Sequence, residues 1–479
     1  PELDVWPIPE TPAQRPVAYK APYPVLVKPF QGDYHDAAKE YFAWARQQKW
    51  CAAGPIGSDS PQPPTAPDAV SRWKPAWFRN AGFWAKFYFE PYKVLGEWDA
   101  YQDWLRLPIA SHYYRYNIAR FDDNYPEHLP GDSYLLYGMQ VAKAMNIFPM
   151  PYINGVIWDD DTQSWFRENG QAAAVADESG KYPIWDIHKE YFAYMCPATA
   201  QWQAKMRETT WKQVAEHGMR GVYLDCLAAT ASRPCYNPDH GHPIRGGHYQ
   251  ADGNRKLMQD LRRHIRQFDP YAAFFTEEIG EMYLDCMDGF LTLDYTRSPL
   301  RSGEQILPVF NAVYNSYAIN FGSDASLGMP HDAFALQMGK LFTWGSVPLL
   351  SASVALPPQP GDPSAELLRE ITRAYYLVSR DLTLSASWCR LSQRPLNSDA
   401  PASSLDVQSA SHRVDYTALA KRQRAWEGPA VVAGAFGTPD RVSLLLVNVT
   451  DQPQTAIVTV GANLFDGQPA ARGRNLWPE

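Results

Sequence analysis

Acidic residues end three of the apolar, strand-like segments in the middle of the chain. GVYLD ends at Asp225 and LTLD ends at Asp294, while FFTEE, between them, ends at Glu277 and Glu278. Cleavage of a glycosidic bond needs two carboxyl groups, one ionised to attack the anomeric carbon and one protonated to donate to the leaving oxygen. Neighbouring strands lie about 4.8 Å apart, close to the roughly 5–5.5 Å carboxyl separation of a retaining glycosidase, so these acids predict glycoside hydrolysis.

The residues around these acids favour opposite protonation states for two of them. Phe274 and Phe275 precede Glu277, and apolar surroundings raise the pKa of a carboxyl group, as neighbouring carboxylates also do. A raised pKa is what a general acid needs near neutral pH. Asp residues also cap helices and form turns, but Cys-Leu-Ala-Ala follows Asp225 in place of a turn or cap pattern. A functional role for Asp225 is therefore favoured.

Strands and helices alternate in the part of the chain that carries the acids. Short apolar strands separated by helical segments indicate βα units, and eight of them over about 300 residues match an α/β fold, the (β/α)₈ TIM barrel. An open doubly wound sheet is the alternative, although no GxGxxG or GxxxxGK[ST] motif follows a strand. In a barrel, the strand ends that bear the acids meet at one rim. The candidate strands are 82–88, 110–117, 147–153, 219–225, 271–277, 289–294, 306–310 and 346–351.

The chain divides into three regions by its pattern. Residues 1–74 form a lead-in with a helix at 36–48 and an irregular linker, and residues 75–387 hold the catalytic barrel. After the barrel, β-rich segments separated by turn residues predict a C-terminal antiparallel β-sandwich at 388–479.

Composition and charge limit the possible partners. The net charge is −8 and no basic run is present, which argues against nucleic acid, and no apolar stretch is long enough to span a membrane. The 17 Trp, 28 Tyr and 20 Phe fit either an aromatic core or rings that stack on an oligosaccharide or polysaccharide. That substrate class favours a secreted or periplasmic protein, although no targeting segment is visible. The oligomeric state stays open.

Cysteine and histidine spacing predicts neither a disulfide framework nor a metal site. The six Cys show no CxxC spacing and are expected to be buried free thiols, with a Cys226–Cys235 pair as the alternative. His240 and His242 form an HxH pattern without HExxH or paired Cys, so we expect them to contact solvent or sugar. The acidic run 159–161 lacks EF-hand spacing and is expected to cap a turn. No metal or cofactor is predicted.

Several motifs together resemble a family of barrel proteins known mainly as glycosyl hydrolases of unassigned function. They are GVYLD…NPDHGHPIRGGHY…GNRKLMQDLR, FFTEEIGEMYLDCMDGFL, GDYHDAAKEYFAWARQQKW, FDDNYPEHLP, PYINGVIWD and CPATAQWQ. The resemblance spans most of residues 25–385 and extends more distantly to the superfamily of α-amylases, α-galactosidases and endo-α-N-acetylgalactosaminidases. Family members tend to carry an N-terminal β-domain, whereas only a short lead-in precedes the barrel here, so a fragment is expected.

The resemblance also implies roles for the acids. In the amylase and endo-acetylgalactosaminidase branches a strand-four Asp is the nucleophile and a strand-five Glu the acid/base, which correspond to Asp225 and Glu277. Glu278 stands where relatives often have Gly and is a second choice for the acid/base. The α-galactosidase branch takes its acid from strand six, which points to Asp294. The implied reaction is double displacement at an α-linked glycan, with a non-catalytic carbohydrate-binding barrel or a transglycosylase as alternatives.

Other polar and aromatic residues near the same rim fit a sugar pocket. Glu281 is expected to support the acid/base, or to complement a helix dipole. The expected substrate-binding residues are Asp122, Asn154, Trp158, Asp159, Tyr223, His240, His242, Glu281 and Tyr295.

Overall fold

A computed structural model gives the structure of the chain. It describes residues 20, 23–56, 73–87, 94–114, 116–117, 122–127, 134–187, 190–293, 306–322, 325–352, 361–379, 387–396, 398, 405–415, 425–438 and 441–461. Two expected site residues, Asp294 and Tyr295, lie outside the described residues.

The described elements follow one another as helices and strands up to residue 379 and as strands alone from residue 387. The helices are α1 (Tyr34–Ala45), α2 (Ala76–Arg79), α3 (Val94–Leu105), α4 (Leu135–Ala144), α5 (Gln163–Arg167), α6 (Ala200–Trp211), α7 (Tyr249–Phe268), α8 (Val309–Tyr314), α9 (His331–Thr343) and α10 (Pro363–Ala374). The strands are β1 (Phe83–Phe87), β2 (Ile109–Tyr113), β3 (Ile147–Asn154), β4 (Ile157–Asp159), β5 (Ile184–Ile187), β6 (Glu190–Tyr194), β7 (Gly221–Asp225), β8 (Ala273–Glu277), β9 (Gly289–Leu291), β10 (Asn320–Phe321), β11 (Leu349–Ala352), β12 (Ser387–Trp388), β13 (Ser392–Pro395), β14 (Leu405–Ser409), β15 (Ser411–Asp415), β16 (Ala425–Pro429), β17 (Val431–Thr438), β18 (Arg441–Asn448) and β19 (Ile457–Val460).

Eight parallel strands form the main sheet, in the order β10-β9-β8-β7-β3-β2-β1-β11. At the gap between its two ends, Phe321 in β10 forms a parallel bridge with Val347, just before β11. The N–H group of Val347 also donates to the carbonyl oxygen of Asn320 at 2.8 Å. The sheet is therefore nearly closed, which confirms the TIM barrel and excludes the open doubly wound sheet.

The seventh barrel strand lies elsewhere than the sequence predicted. The expected strand 306–310 is wrong, because the chain begins helix α8 immediately after Pro308, and the strand is the two-residue β10. A short apolar run such as ILPVF fits a strand or a buried helical turn equally well, and periodicity cannot separate the two. Pro at the start of a helix leaves no hydrogen bond unmade, which favours the helix here.

The N-terminal helix also begins earlier than the predicted 36–48. The side chain of Asp33 accepts from the N–H group of His35, and Asp36 accepts from the N–H group of Asp33 at 3.0 Å. This reciprocal capping box makes Asp33 the cap, so α1 starts at Tyr34 and ends at Ala45.

A three-stranded antiparallel sheet, in the order β4-β6-β5, is inserted between β3 and α6. Its N–H and C=O groups pair within the insertion and with the segment before α6, where Ala174 bridges Met195. Loops at the C-terminal ends of barrel strands carry the functional groups in this fold. The insertion and the long β7–α7 loop therefore enlarge the rim beside Asp225.

The C-terminal strands form small sheets that pack on the barrel through α9. The antiparallel pairs include β12–β17, β17–β18, β14–β19 and β15–β16, whereas β13 and β14 pair in parallel. An added Cβ at Gly434 would lie 1.8 Å from the carbonyl oxygen of Thr343, so β17 packs directly on the end of α9. The predicted antiparallel region is confirmed, and the domain boundaries remain predictions.

Aromatic rings fill the inside of the barrel below the acids. The rings of Trp84 and Phe321 stack with centroids 3.5 Å apart, and those of Tyr223 and Phe275 stack at 4.6 Å. His112 lies against Tyr223 and Phe275 at 4.7 and 4.9 Å. A barrel interior is packed core, so these rings form the floor on which the polar site rests.

No helix of the described residues is long and apolar enough to cross a bilayer.

Candidate active site

Asp225 ends β7 and is held by two phenols. Its Oδ1 accepts the hydroxyl of Tyr223 at 2.5 Å, and its Oδ2 accepts that of Tyr152 at 2.9 Å. Tyr223 reaches it because residues two apart in a strand share one face. Cys226, which follows, has a φ of +62° and its thiol donates to Oδ2 at 3.3 Å. The left-handed turn at Cys226 leads the chain away from the strand, leaving the Asp225 carboxylate at the rim with 8 % exposure.

Glu277 ends the neighbouring strand β8 and faces Asp225. One carboxylate oxygen of each residue and the Sγ atom of Cys226 lie within 4.8 Å of one another. Burial raises the pKa of Glu277 to about 8, and the charge of the neighbouring Asp225 acts in the same direction. Glu277 therefore carries a proton near neutral pH. The side chain is partly exposed, so solvent reaches the pair.

Tyr152 joins Asp225 to a second buried acid, Asp122. The Tyr152 hydroxyl lies 3.0 Å from Oδ2 of Asp122, and Nδ2 of Asn154 lies 3.5 Å from the same hydroxyl. Burial raises the pKa of Asp122 to about 8, and the charge of Asp225 acts in the same direction. Asn154 is also the register partner of Asp225. The structure thus brings Asp122, Asn154 and Tyr223 together around Asp225, with Glu277 opposite.

Two residues of this site, Lys86 and His112, were not predicted from the sequence. They are register partners on β1 and β2, both are buried, and the charge of Lys86 lowers the pKa of Glu277. Neither ring nitrogen of His112 has a hydrogen-bond partner among the described residues, and burial lowers its pKa well below the usual value. The available signal was a Lys inside the apolar segment GFWAKFY and a His inside ASHYYRYN.

Glu278 follows Glu277 but turns toward another strand. Its φ is +57°, and its N–H group donates to the carbonyl oxygen of Leu291 at 2.6 Å. Its Oε1 accepts from the N–H group of Leu293 at 3.2 Å. The two adjacent carboxyl groups therefore differ in their partners, and Glu277 is the one whose oxygen faces Asp225.

Trp158 and Asp159 support the inserted sheet and the loop after β2. Trp158 is 0 % exposed and its Nε1 donates to Thr162, so its ring is buried here and its role in sugar binding stays a prediction. The oxygens of Asp159 accept from the N–H groups of Asn124 at 2.8 Å and Asp161 at 3.2 Å. Asp159 thereby braces the segment that carries Asp122, and its predicted contact with substrate stays a prediction.

Glu281, His240 and His242 also have other partners. The carboxylate of Glu281 accepts from Tyr41 at 2.8 Å and from Tyr314 at 2.5 Å, which ties α1 to α8. The two His rings instead face a pair of thiols. All six Cys are free and all but Cys389 are buried, which confirms the expected free thiols and excludes a Cys226–Cys235 disulfide.

Comparison of the sequence with models of protein families finds a match that covers more than half of the chain. The family model described as "Domain of unknown function (DUF6259)" matches residues 19–325. The chain belongs to this family. The membership agrees with the resemblance to barrel proteins of unassigned function.

Two relatives have names that refer to glycoside hydrolysis. "Putative glycoside hydrolase" from Bacteroides thetaiotaomicron is 28% identical over 251 residues, which cover 51% of this chain and 36% of the relative. "Putative glycoside hydrolase 22789" from Monosiga brevicollis is 29% identical over 231 residues, 46% of this chain and 19% of the relative. The chain thus spans about a third or less of the length of these relatives.

A solved glycosidase shares the fold. The ligand-free α-N-acetylgalactosaminidase NagBb from Bifidobacterium bifidum superposes with a TM-score of 0.57 and 12% identity, covering 88% of this chain and 64% of that enzyme. At this identity the likeness concerns the fold alone. A member of the DUF6259 family therefore has the barrel architecture of a known glycosidase.

Proposed function

We propose that the chain is a retaining glycoside hydrolase that cleaves an α-linked glycan, with Asp225 as nucleophile and Glu277 as acid/base. The observation that carries the proposal is the pair itself: carboxyl oxygens within 4.8 Å on neighbouring strands, with the pKa of one partner raised to about 8. A retaining enzyme needs closely spaced carboxyl groups of opposite protonation, whereas an inverting one leaves room for water between them. The names of the two relatives support the same reaction class.

In the first step, Asp225 attacks the anomeric carbon and the bond to the leaving oxygen breaks. The leaving oxygen takes the bond's electron pair and the proton of Glu277, so a glycosyl ester of Asp225 and a neutral alcohol form. In the second step, Glu277 removes a proton from water as the water attacks the anomeric carbon. The ester bond breaks and the Asp225 carboxylate is released, which restores both residues.

The surrounding residues have distinct roles in this proposal. The phenols of Tyr152 and Tyr223 hold the Asp225 carboxylate in one orientation, which preserves the attack geometry. Asp122 and Asn154 position Tyr152. The cation of Lys86 and the neutral ring of His112 form part of the buried surface beside the acids. The sugar is bound above this floor.

Kinetics of three carboxyl variants test the assignment. On an activated aryl α-glycoside found by screening, Asp225→Asn should abolish turnover, and Glu277→Gln should slow hydrolysis of an unactivated substrate by about 10²–10⁴-fold. Glu278→Gln is the matched control and should retain most activity, because its carboxyl group binds the backbone of Leu293. Loss of activity in Glu278→Gln with an active Glu277→Gln would reassign the acid/base. A folded wild type that binds glycans but cleaves none would contradict the proposal and support a non-catalytic carbohydrate-binding barrel.

Transglycosylation uses the same first step and differs in the acceptor. A second acceptor sugar added to the assay separates the two outcomes, because a transglycosylase gives a longer product in place of the free sugar. The proposal predicts free sugar as the main product with water as the acceptor.

A further inference from the structure

A second cluster of reactive side chains lies in the segments that flank β7 and α6. Cys196 stands between β6 and α6, while Cys235, His240 and His242 belong to the loop between β7 and α7. One donor atom from each of the four residues, two Sγ atoms and two ring nitrogens, lies within 4.8 Å of all the others. None of the four contributes to the Asp225–Glu277 pair described above.

The measured edges of this cluster match a metal tetrahedron. The Sγ atom of Cys196 lies 3.4 Å from Nε2 of His242, and that of Cys235 lies 3.4 Å from Nδ1 of His240. Zn–S bonds of about 2.3 Å and Zn–N bonds of about 2.0–2.1 Å at tetrahedral angles place sulfur and nitrogen roughly 3.6 Å apart. These two sulfur–nitrogen distances are therefore close to the spacing that one ion requires.

The two His rings direct their lone pairs at the sulfur atoms. Nε2 of His240 lies 2.9 Å from the carbonyl oxygen of Ala172, and Nδ1 of His242 lies 2.7 Å from that of Pro243. A carbonyl oxygen only accepts, so these nitrogens carry the hydrogen of the neutral ring. The opposite nitrogens, which face the thiols, are then unprotonated. A backbone carbonyl that fixes the tautomer in this way is the usual outer partner of a metal-binding His.

The sulfur atoms of the cluster are buried. Cys196 and Cys235 are 0 % exposed. The thiolate is the form of Cys that binds a metal. Two buried thiolates with no cation nearby would be costly, whereas a divalent ion would balance both charges.

We propose that Cys196, Cys235, His240 and His242 bind one Zn²⁺ ion in a closed, structural site. Thiolate and imidazole ligands in a tetrahedron favour zinc over calcium or magnesium, which take oxygen ligands. Four protein ligands leave no open position, so the ion has a structural role and takes no part in the hydrolysis. The ligands come from segments distant in sequence, which is why HxH spacing alone predicted no metal.

The ion would fasten the loop that begins next to the nucleophile. This loop starts at Cys226 and contributes three of the four ligands, while Cys196 fixes it to the inserted sheet. Two ring contacts reinforce the same attachment: the Arg233 guanidinium lies 3.5 Å from the Tyr194 ring centroid, and Tyr249 stacks on His242 at 4.0 Å. Zinc thereby holds one wall of the rim beside Asp225.

Metal analysis of the purified chain tests this proposal independently of any enzymatic activity. Elemental mass spectrometry should find roughly one zinc per chain, and Cys235→Ser and His242→Ala should each lose it. Cys286→Ser, at another buried Cys outside the cluster, is the matched control and should keep its zinc. Chelation of the wild type should lower the melting temperature, and added Zn²⁺ should restore it.

Four results would overturn the proposal, and the first three concern the zinc content and the thiols. The first is a folded wild type that contains no zinc and takes up none when Zn²⁺ is added after reduction. The second is zinc that persists in Cys235→Ser, and the third is a Cys196–Cys235 disulfide in the metal-free folded chain. Cobalt substitution guards against misfolded variants, because a wild type with Co²⁺ in a Cys₂His₂ tetrahedron shows strong thiolate charge-transfer and d–d absorption bands. Absence of those bands in a Co²⁺-loaded wild type also contradicts the site.

Discussion

The hydroxyl of Tyr152 carries one proton but lies within hydrogen-bond distance of two carboxyl groups. Asp122 is 3.0 Å away and Asp225 is 2.9 Å away. The raised pKa of Asp122 keeps it protonated near neutral pH, so Asp122 donates to the hydroxyl oxygen and the hydroxyl proton is left for Asp225. Hydrogen bonds are thus donated by Asp122 to Tyr152 and by Tyr152 to Asp225, the proposed nucleophile. Each of these side chains orients the next.

Tyr152→Phe should lower kcat/KM by about ten- to a hundred-fold. The substitution removes one hydrogen bond to a charged group, worth about 1.5–3 kcal/mol, and leaves Asp122 without its partner. Steady-state kinetics on the screened glycoside provides the measurement. Tyr182→Phe is the control, because its hydroxyl also contacts a carboxylate, that of Asp160, but lies in the insertion, in the loop just before β5. Equal losses in both variants would show that Tyr152 has no special role.

The pH dependence of kcat/KM should follow Glu277. A general acid acts only while it carries its proton, so the rate should fall as pH rises through about 8, the raised pKa of this side chain. Asp122→Asn should keep this alkaline fall, because Asp122 does not donate to the substrate. Glu277→Gln, assayed with an activated leaving group that needs no acid, should lose it. A rate that increases through pH 8 in the wild type would contradict the role of Glu277.

At the scale of secondary structure, the ends of the central strands were predictable and their surroundings were not. Apolar runs closed by Asp225 and Glu277 mark strand ends directly in the sequence. Lys86 and His112 belong to the site only because their strands point these buried side chains into the barrel. A strand that is buried on both faces shows no alternation of polar and apolar residues, so its sequence does not indicate which residues point inward.

The strand that was predicted wrongly and the features that were not predicted share a physical cause. Strand β10 has only two residues, and the sheet closes there through single hydrogen bonds. The β4–β6 sheet forms an insertion whose pairing depends on tertiary contacts. The Cys196–His242 contact joins segments 46 residues apart, which no local motif reports. Local pattern therefore predicted the barrel but not the additions at its rim.

Strand β17 can pack closely on α9 because Gly434 has no side chain. Gly434→Ala would place a Cβ 1.8 Å from the carbonyl oxygen of Thr343, which is backbone and cannot rotate away. We expect the free energy of unfolding, measured by chemical denaturation, to decrease. The decrease should lie near or above the upper end of the roughly 1–3 kcal/mol that is typical of overpacking. Gly96→Ala is the control: it meets nothing within 4 Å in α3 and should stabilise by about 0.5–1 kcal/mol. Equal stability of the two variants would mean that β17 does not pack on α9.

At the scale of the whole molecule, closure of the barrel decides which groups can meet. The bridge from Phe321 to Val347 completes the ring of strands, so the ends of β3, β7 and β8 share one rim. Membership of the DUF6259 family covers residues 19–325, which include Asp122, Asp225 and Glu277. The fold shared with a solved glycosidase extends over 88% of the chain. Architecture and proposed chemistry therefore coincide in one part of the molecule.

The most direct measurement is peptide mass spectrometry of the protein after reaction with a slow, fluorine-substituted glycosyl fluoride matched to the sugar that screening identifies. Double displacement passes through a covalent ester, and the fluorine atom slows its hydrolysis enough for it to accumulate. The proposed mechanism predicts one glycosyl group per chain, attached to Asp225 and absent in Asp225→Asn. A glycosyl group on a different residue, or turnover to a product of inverted configuration without any adduct, would contradict it.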